Sequence, residues 1–373
     1  MHRVQLHYSI GREASDARTV LHPLPALLKA VAQQGSISGA ARSLGLSYRH
    51  VWGALKRWEV ELGNELLHWD KGQAAQLSDF GRKMLWAEQQ AQARLAPQIA
   101  ALQAELERAL ALAFDPHTHV LPLYASHDDA LPLLRSVAAD PQRESAVHLD
   151  IRFTGSVDAI RALNEGRCTV AGFHLPVAPP PTSLHAAVYR PLLQPGQHKL
   201  IGFTTRALGL IVPAGNPRSL LSLNDVVRQR ATLCNRPLGT GTRLMLDSLL
   251  QSTGHLPRHV QGYDQVEPSH DAAAQAVASA QADVALGIAP AAHRRGLGFV
   301  PLVQERYYLV CLRSQIDSPG MQRLRQVMSE PAWHALCRQL EGYAPSASGQ
   351  VLSLRRELPW WTFRRPKRGT APR

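Results

Sequence analysis

Residues 35–62, GSISGAARSLGLSYRHVWGALKRWEVEL, decide how the first part of this chain folds. Apolar residues recur at helical spacing from Ile37 and stop before Gly45, and a second amphipathic run begins at Ser47. Ser36 and Ser47 are residue types that cap helix N-termini, and glycine at position 45 supplies the left-handed conformation that ends a helix. Two short helices joined by a tight glycine turn predict a helix-turn-helix, whose second helix enters the major groove of DNA.

The polar start of the second helix predicts which residues contact DNA. Hydroxyl, imidazole and cationic side chains there can donate hydrogen bonds to phosphates and base edges. The predicted DNA-binding residues are Ser36, Ser47, Tyr48, Arg49, His50, Lys56 and Lys71. The alternative is a helical hairpin in an ordinary core, with these side chains on a solvated face.

The flanking sequence extends this unit. An apolar helix precedes it, and two short strands around Asp70-Lys71-Gly72-Gln73 predict a wing with Lys71 near a phosphate, for which a plain loop is the alternative. From Asp79 to Leu112 apolar residues recur at threes and fours, which predicts a long helix that pairs with a second copy. Pro97 should kink that helix.

The composition suits a DNA-binding protein of more than one domain. The 373 residues can bury sizeable cores, and the net charge of +12 suits a polyanionic partner. The N-terminus lacks a signal-peptide core, and no stretch approaches the roughly 20 apolar residues that span a bilayer. We therefore expect a cytoplasmic protein with no membrane partner. Scattered histidines and four distant cysteines predict neither a metal site nor a disulfide framework.

The architecture changes at Asp115-Pro116, where buried strands begin to alternate with helices. This pattern predicts a parallel α/β sheet, in which ligands lie beyond the carboxyl ends of the strands. Ser126 and Ser156 are placed at two such ends, where hydroxyls and helix N-terminal amides can converge on an anion. Each serine alone could equally be an N-cap.

The strongest local signal in this region is NRPLGTGTR, residues 235–243, directly before a predicted helix. Two glycines allow consecutive amides to point inward, Thr240 and Thr242 add hydroxyls, and Arg236 and Arg243 add fixed positive charge. The stretch predicts an anion cradle that lacks the GxxxxGK[ST] spacing of a P-loop. An ordinary glycine turn is the alternative.

These motifs resemble two known families. The stretch that ends in QLSDFG resembles the N-terminal domain of the molybdate-responsive ModE family, a winged helix close to the LysR type. Residues from about 120 to 343 resemble the periplasmic-binding-protein-like domain often fused to it. That second resemblance is carried by SHDDALPLL, FTGSVDAIRALNEGRCTVAGFHLP, NRPLGTGTRLMLDSLL and VASAQADVALGIAPAA.

The resemblance implies a one-component regulator in which a former solute-binding module senses a small ligand. Related modules bind molybdate or tungstate through hydroxyls and helix N-terminal amides. On that pattern Arg243 would be the charge partner, and the effector-binding residues would be Ser126, Ser156, Thr240, Gly241, Thr242 and Arg243. ModE itself senses with a different C-terminal module, and formate or another small carboxylate is a rival ligand because arginine and amides suit it equally.

The predicted fold is an α-helical winged helix-turn-helix with a long dimerisation helix, followed by an α/β two-lobed periplasmic-binding-protein-like (type II) domain. The expected parts are an N-terminal arm (1–22), the DNA-binding domain (23–78), the linker helix (79–115), the effector-sensing domain (116–350) and a basic C-terminal tail (351–373). We expect double-stranded operator DNA, a small anionic effector and a homodimer or tetramer as partners, and no cofactor beyond the effector.

The alternative function is an enzyme that uses the anion-binding cleft and keeps a vestigial helix-turn-helix. No metal spacing, dinucleotide fingerprint or Cys-His arrangement supports it. Ser126, His127 and Asp128 are sequence neighbours whose side chains need not converge. The sequence therefore favours the regulator.

Overall fold

The computed structural model describes residues 23–68, 75–114, 119–140 and 147–361. Contacts divide the chain into two compact units, residues 1–93 and residues 94–373. The predicted arm, residues 1–22, and the wing tip with Lys71 lie outside the described residues.

The first unit is a helix-turn-helix with a small two-stranded sheet. Its elements are α1 (Pro23–Gln34), α2 (Ile37–Ser43), α3 (Tyr48–Leu62), β1 (Leu67–His68) and β2 (Gln76–Leu77), with β1 antiparallel to β2. Gly45 takes a φ of 66° in the turn between α2 and α3, a conformation that side chains disfavour. Apolar residues of all three helices, among them Leu28, Ala40 and Leu55, form one core.

A single 36-residue helix, α4 (Asp79–Phe114), follows and continues through Pro97. Beyond Pro97 it carries four exposed leucines, which we call the leucine stripe: Leu102, Leu106, Leu110 and Leu112. Leucine side chains on a solvated helix face lack the burial that normally stabilises them.

The second unit is built on a nine-stranded sheet within the described residues. Its strands are β3 (His119–Ala125), β4 (Val147–Phe153), β5 (Val170–Pro176), β6 (His198–Val212), β7 (Leu233–Cys234), β8 (Val284–Ile288), β9 (Gly298–Leu312), β10 (Tyr343–Pro345) and β11 (Val351–Leu352). Its helices are α5 (Ala130–Ala138), α6 (Ser156–Asn164), α7 (Leu184–Tyr189), α8 (Leu223–Arg228), α9 (Gly241–Ser252), α10 (His270–Ala278), α11 (Ala289–His293), α12 (Pro319–Ser329), α13 (Pro331–Gln339) and α14 (Leu354–Glu357).

The expectation of a parallel sheet was wrong for the centre of this unit. The pairs β3–β4, β3–β5 and β7–β8 are parallel, but β6 and β9 run antiparallel to each other and to their outer neighbours β8 and β5. Both are 15-residue strands that lie between the parallel pairs and contribute residues to more than one core. The sheet is therefore mixed.

Those two strands join two lobes. Phe203 and Tyr307 pack in a core of the first lobe, which holds β3, β4 and β5, whereas Leu208 packs in the core of the second lobe around β8. Between them, Arg206 of β6 stands opposite Glu305 of β9 in the sheet register. The two strands thus cross between the lobes at a pair of opposite charges.

The first part of the predicted C-terminal tail packs onto the first lobe. β11 pairs with β6, and Leu354, Leu358 and Trp360 are buried in a core with strand residues of β5 and β9. The indole Nε1 of Trp360 donates to the carbonyl oxygen of Pro179 at 3.1 Å. Residues 351–361 are therefore part of the domain, and residues 362–373 lie outside the described residues.

Candidate effector site and DNA-facing helix

The first turn of α3 presents polar side chains at the surface. Ser47 caps the helix, and its hydroxyl accepts the backbone N–H of His50 at 3.1 Å. Tyr48, Arg49 and His50 are exposed, whereas Val51, the next residue, is fully buried. The helix packs one face into the core and leaves its polar first turn accessible.

The other predicted DNA-binding residues have different surroundings. Ser36 caps α2 by accepting the N–H of Gly39 at 3.0 Å. Lys56 is exposed and its Nζ lies 2.6 Å from a carboxylate oxygen of Glu59. Lys71 lies outside the described residues. The first turn of α3 is thus the part of the predicted DNA surface that the structure gathers in one place.

In the second unit, three loops bring predicted effector residues together. Ser126 follows β3, Ser156 begins α6, and their Oγ atoms are 3.0 Å apart. A Cβ atom placed on Gly241, at the start of α9, would lie 3.3 Å from Ser156 Oγ and 3.2 Å from Cβ of His174. Met245 and Leu246 of α9 pack in the core of the second lobe, so both lobes contribute to this point. A side chain at position 241 would require its neighbours to shift by a few tenths of an ångström.

His174 connects Ser126 to a buried carboxylate. Its Nδ1 lies 3.2 Å from Ser126 Oγ, and its Nε2 lies 3.5 Å from Asp128 Oδ2. A carboxylate only accepts hydrogen bonds, so we assign the ring proton to Nε2 and let Nδ1 accept from Ser126. Ser156 then donates to Ser126, and both hydroxyl protons are used within the protein. An incoming anion would have to turn these hydroxyls toward itself.

Asp128 also belongs to a fully buried ionic cluster at the crossing of the lobes. Arg206 donates from Nη1 to Asp128 at 2.6 Å and from Nε to Glu305 at 3.1 Å, and the Tyr343 hydroxyl donates to Asp128 at 2.9 Å. Burial alone would raise the pKa of Asp128, but the charge of Arg206 and the bond to His174 bring it down to about 2. The Ser126–His174–Asp128 chain is therefore tied into the crossing of the lobes.

Thr240 and Arg243 are committed to helix α9. The Thr240 hydroxyl donates to the carbonyl of Pro237 at 2.8 Å and accepts the N–H of Arg243 at 3.3 Å. The Arg243 guanidinium lies 3.4 Å from a carboxylate oxygen of Asp247 and 4.0 Å from the ring centre of Tyr263. The structure thus gives Arg243 a carboxylate and an aromatic ring as partners, while Thr242 is buried in the first turn of α9.

Arg236, in the same loop, is far less satisfied. It is 3% exposed, and its Nη2 donates to the carbonyl of Pro268 at 2.8 Å. Its Nε and Nη1 have no hydrogen-bond partner among the described residues. Burial, followed by the charge of Arg206, lowers the pKa of Arg236 to about 10, so it remains protonated at neutral pH.

Two further histidines lie within electrostatic reach of Arg236. Burial, then Arg236, holds the pKa of His270, the first residue of α10, well below its ordinary value. Burial likewise lowers the pKa of His127. Nδ1 of each ring is buried without a hydrogen-bond partner among the described residues. Neutral imidazoles therefore adjoin a buried cation.

An ion-pair bridge joins the lobes nearby. Arg294, which ends α11 in the second lobe, donates to Asp129 of the first lobe at 2.7 Å. It also makes a two-pronged contact with Asp271, at 3.1 and 3.0 Å. Two of the carboxylates that act on His127, Asp129 and Asp271, are thus engaged by one guanidinium.

Sequence reasoning missed the roles of His174 and Arg206, although a signal was present. Each interrupts an apolar run that becomes a buried strand, in VAGFHLP and in IGFTTRALGLIV. A charged or polar residue in such a run is costly unless it is paired, so it indicates a buried network. The partners themselves were not readable, because Arg206 and Glu305 are 99 positions apart.

The described residues contain no group of three or more His, Cys, Asp or Glu side chains arranged to hold a metal ion. No helix among them is both long and apolar enough to cross a membrane.

Comparison with known families matches two separate parts of the chain. Residues 138–329 match the family profile described as "PBP superfamily domain", and residues 26–82 match "Bacterial regulatory helix-turn-helix protein, lysR family". The first match spans more than half of the chain.

Three individual proteins are similar to this chain at 30% identity or less. "Uncharacterized protein YvgK" of Bacillus subtilis (strain 168) is 30% identical over 202 residues, which cover 54% of this chain and 64% of that protein. A Clostridium pasteurianum protein, "Uncharacterized protein in ferredoxin 2Fe-2S gene 5'region", is 28% identical over 111 residues, which are 30% of this chain and 98% of that one. Among solved structures, an H2O2-bound mutant of Corynebacterium glutamicum OxyR is 16% identical, with a TM-score of 0.43 over 82% of this chain and 89% of that chain.

Proposed function

The chain belongs to the PBP superfamily domain family and joins to that domain a LysR-family helix-turn-helix, and we propose that this LysR-type regulator senses a small anion and couples it to operator binding. The observation that carries the proposal is the convergence of Ser126, Ser156 and Gly241 from two lobes. A ligand held there touches both lobes, so it can favour one arrangement of the lobes over another.

The DNA half of the proposal rests on α3. Tyr48, Arg49 and His50 are exposed in its first turn, at the position from which recognition helices contact base edges. The net charge of +12 supplies the attraction to phosphates that precedes specific reading. Lys71, on the predicted wing, would add a phosphate contact without reading sequence.

The sensing half rests on donors that suit an oxyanion. N–H groups in the first turns of α6 and α9 lack intrahelical partners, and Ser156 and Thr242 add buried hydroxyls in those turns. Two of these N–H groups are already used, that of Val157 by the Gly239 carbonyl and that of Arg243 by the Thr240 hydroxyl. Molybdate and tungstate are the ligands suggested by the resemblance of the second unit to periplasmic-binding-protein-like modules. Formate or another small carboxylate is the rival, since the same donors bind carboxylates.

The leucine stripe supports assembly as a homodimer or a tetramer. Its four leucines are exposed on α4, and a second copy of the helix would bury them. A dimer would present two recognition helices one or more DNA turns apart, as a palindromic operator requires.

The test of this function is DNA binding by the full chain. A duplex selected by the parent protein from a random pool would be compared with a scrambled duplex at several salt concentrations. Arg49→Ala should lose most of the preference, because one good base contact contributes roughly 1–3 kcal/mol of discrimination. Lys71→Ala should weaken both duplexes alike and flatten the salt dependence.

Unchanged preference in Arg49→Ala would remove this residue from the reading set. If the parent protein selects no duplex from the pool, the proposed regulatory function is contradicted.

A further inference from the structure

Arg236 has hydrogen-bonding capacity that the described residues leave unused. A guanidinium has five N–H donors, and in Arg236 only Nη2 has a partner, the carbonyl of Pro268 at 2.8 Å. Nε and Nη1 are buried and unpartnered, and no described carboxylate lies within 4.0 Å to form an ion pair. In a side chain that is 3% exposed, solvent cannot fully substitute for these partners.

The nearest carboxylates are engaged by other arginines. Asp271 and Glu267 both act on Arg236 electrostatically. Asp271, however, accepts two hydrogen bonds from Arg294. Each carboxylate oxygen of Glu267 accepts one hydrogen bond from Arg94, at 2.9 and 2.5 Å. Among the described residues, the positive charge of Arg236 is therefore not matched by a dedicated anion.

A buried charge of this kind is expensive. Removal from water disfavours the charged form, so proteins normally pair such a group or bind an ion with it. His127 and His270, which interact electrostatically with Arg236, add two more buried ring nitrogens without hydrogen-bond partners among the described residues. Arg236 lies in the loop that leads into α9, whose amino end carries positive partial charge.

We propose that Arg236, with His127 and His270, forms the charge-bearing part of the effector site and binds a small dianionic oxyanion. The inference rests on the proposed sensing function and deepens it by replacing Arg243, whose guanidinium contacts Asp247 and Tyr263, as the source of fixed charge. The oxyanion would accept hydrogen bonds from Nε and Nη1 of Arg236 and so supply the partners that these two atoms lack.

Binding of an anion at this site should favour the protonated forms of His127 and His270. The groups that face His127 are Asp128, Asp129, Asp271 and Arg236, and the ring of Phe153 lies 4.7 Å from its own.

The groups that face His270 are Arg236, Arg206, His127 and His174, all cationic or neutral. A dianion placed among these groups favours the charged imidazole, so binding should be tighter at about pH 6 than at about pH 8.

The experiment is calorimetry of the full chain with sodium molybdate, tungstate, sulfate and formate, against sodium chloride at equal ionic strength. We expect at least one oxyanion to bind with proton uptake, seen as a buffer-dependent heat. Arg236→Gln, which can still donate to the Pro268 carbonyl, should bind that anion about tenfold to a hundredfold more weakly. Arg243→Gln is the matched control: it makes the same change of charge nearby, in the first turn of α9, and should keep the parent affinity.

Thermal unfolding of each variant checks that it folds. A further variant, Arg236→Lys, keeps the positive charge but replaces the planar guanidinium with an ammonium group. Arg236→Lys should bind more tightly than Arg236→Gln, because the cation remains. If Arg236→Gln binds the anion as tightly as the parent, or Arg243→Gln loses as much, the assignment of Arg236 is overturned while sensing stands. If the parent selects DNA but binds none of the four anions, both the assignment and the sensing function fail. Binding of formate alone would overturn the dianionic oxyanion while sensing stands.

Discussion

Arg206 and Arg236 lie in the same domain and are almost equally buried, 1% and 3% exposed, yet they have opposite surroundings. Arg206 donates to Asp128 and Glu305. Arg236 donates to one backbone carbonyl and keeps two donor nitrogens without partners among the described residues. Burial of an arginine therefore does not reveal its role. Its partners do, because a matched charge stabilises the fold while an unmatched one costs stability until a ligand arrives.

The pKa directions agree with this difference. Burial opposes the charge on both side chains, but Tyr343, Glu305 and Asp128 hold the pKa of Arg206 above its ordinary value. For Arg236, burial and the like charge of Arg206 prevail and lower the pKa to about 10. The two guanidiniums thus mark a structural cluster and a candidate binding site within one cleft region.

Arg206→Met should have the largest effect on stability of the variants considered. Removing this cation leaves Asp128 and Glu305 buried without their partner, and loss of one member of a buried pair typically costs about 3–5 kcal/mol. Urea unfolding should show a loss of this size. Arg161→Met, at an exposed pair with Asp158, is the control and should change the free energy of unfolding by less than about 1 kcal/mol. A small loss in Arg206→Met would mean that the cluster is poorly matched.

The same substitution at Arg236 should have the opposite sign. Arg236→Met removes an unmatched buried charge while roughly keeping the volume, and the free energy of unfolding should rise by roughly 1–4 kcal/mol, less the lost bond to Pro268. Urea unfolding without added oxyanion is the measurement. Destabilisation as large as that of Arg206→Met would place Arg236 among the structural arginines and contradict its proposed role.

The smallest expected effect is a difference in the pH range over which each region contributes to stability. Asp128 has a pKa of about 2 against 3.8 for an ordinary aspartate, so the Arg206 cluster contributes its full stability above pH 3.8 and loses it as the pH falls toward 2. His270 has a pKa well below 6.5, so its contribution is complete above pH 6.5 and is lost as the pH falls below that value. One proton gives a slope of at most about 1.4 kcal/mol per pH unit.

Arg236→Met removes one cause of the lowered pKa of His270 and should flatten the upper window only. Unfolding curves of parent and variant across both windows test this. Equal slopes near pH 6 in the two proteins would show that Arg236 does not act on His270, and a changed lower window would tie Arg236 to the Arg206 cluster.

The sequence by itself determined the features that depend on near neighbours in the chain. The cap residues Ser36 and Ser47, the turn at Gly45 and the amphipathic helices follow from local hydrogen bonds and periodicity, and the structure has them where they were predicted. The pairing of Arg243 with Asp247 was also readable, since residues four apart on a helix face each other. The resemblance to periplasmic-binding-protein-like modules nevertheless led to Arg243 as the charge partner.

Only the tertiary structure decided which charges are matched. Whether Arg206 meets Glu305 depends on the register of two 15-residue strands whose antiparallel pairing was not predicted, and whether Arg236 meets a carboxylate depends on where Arg294 holds Asp271. Such pairings join residues that are far apart in sequence, and electrostatic energy depends on separation and burial rather than on residue order. For that reason the same residue type, buried in one domain, serves as a structural anchor in one place and is proposed as a ligand's partner in the other.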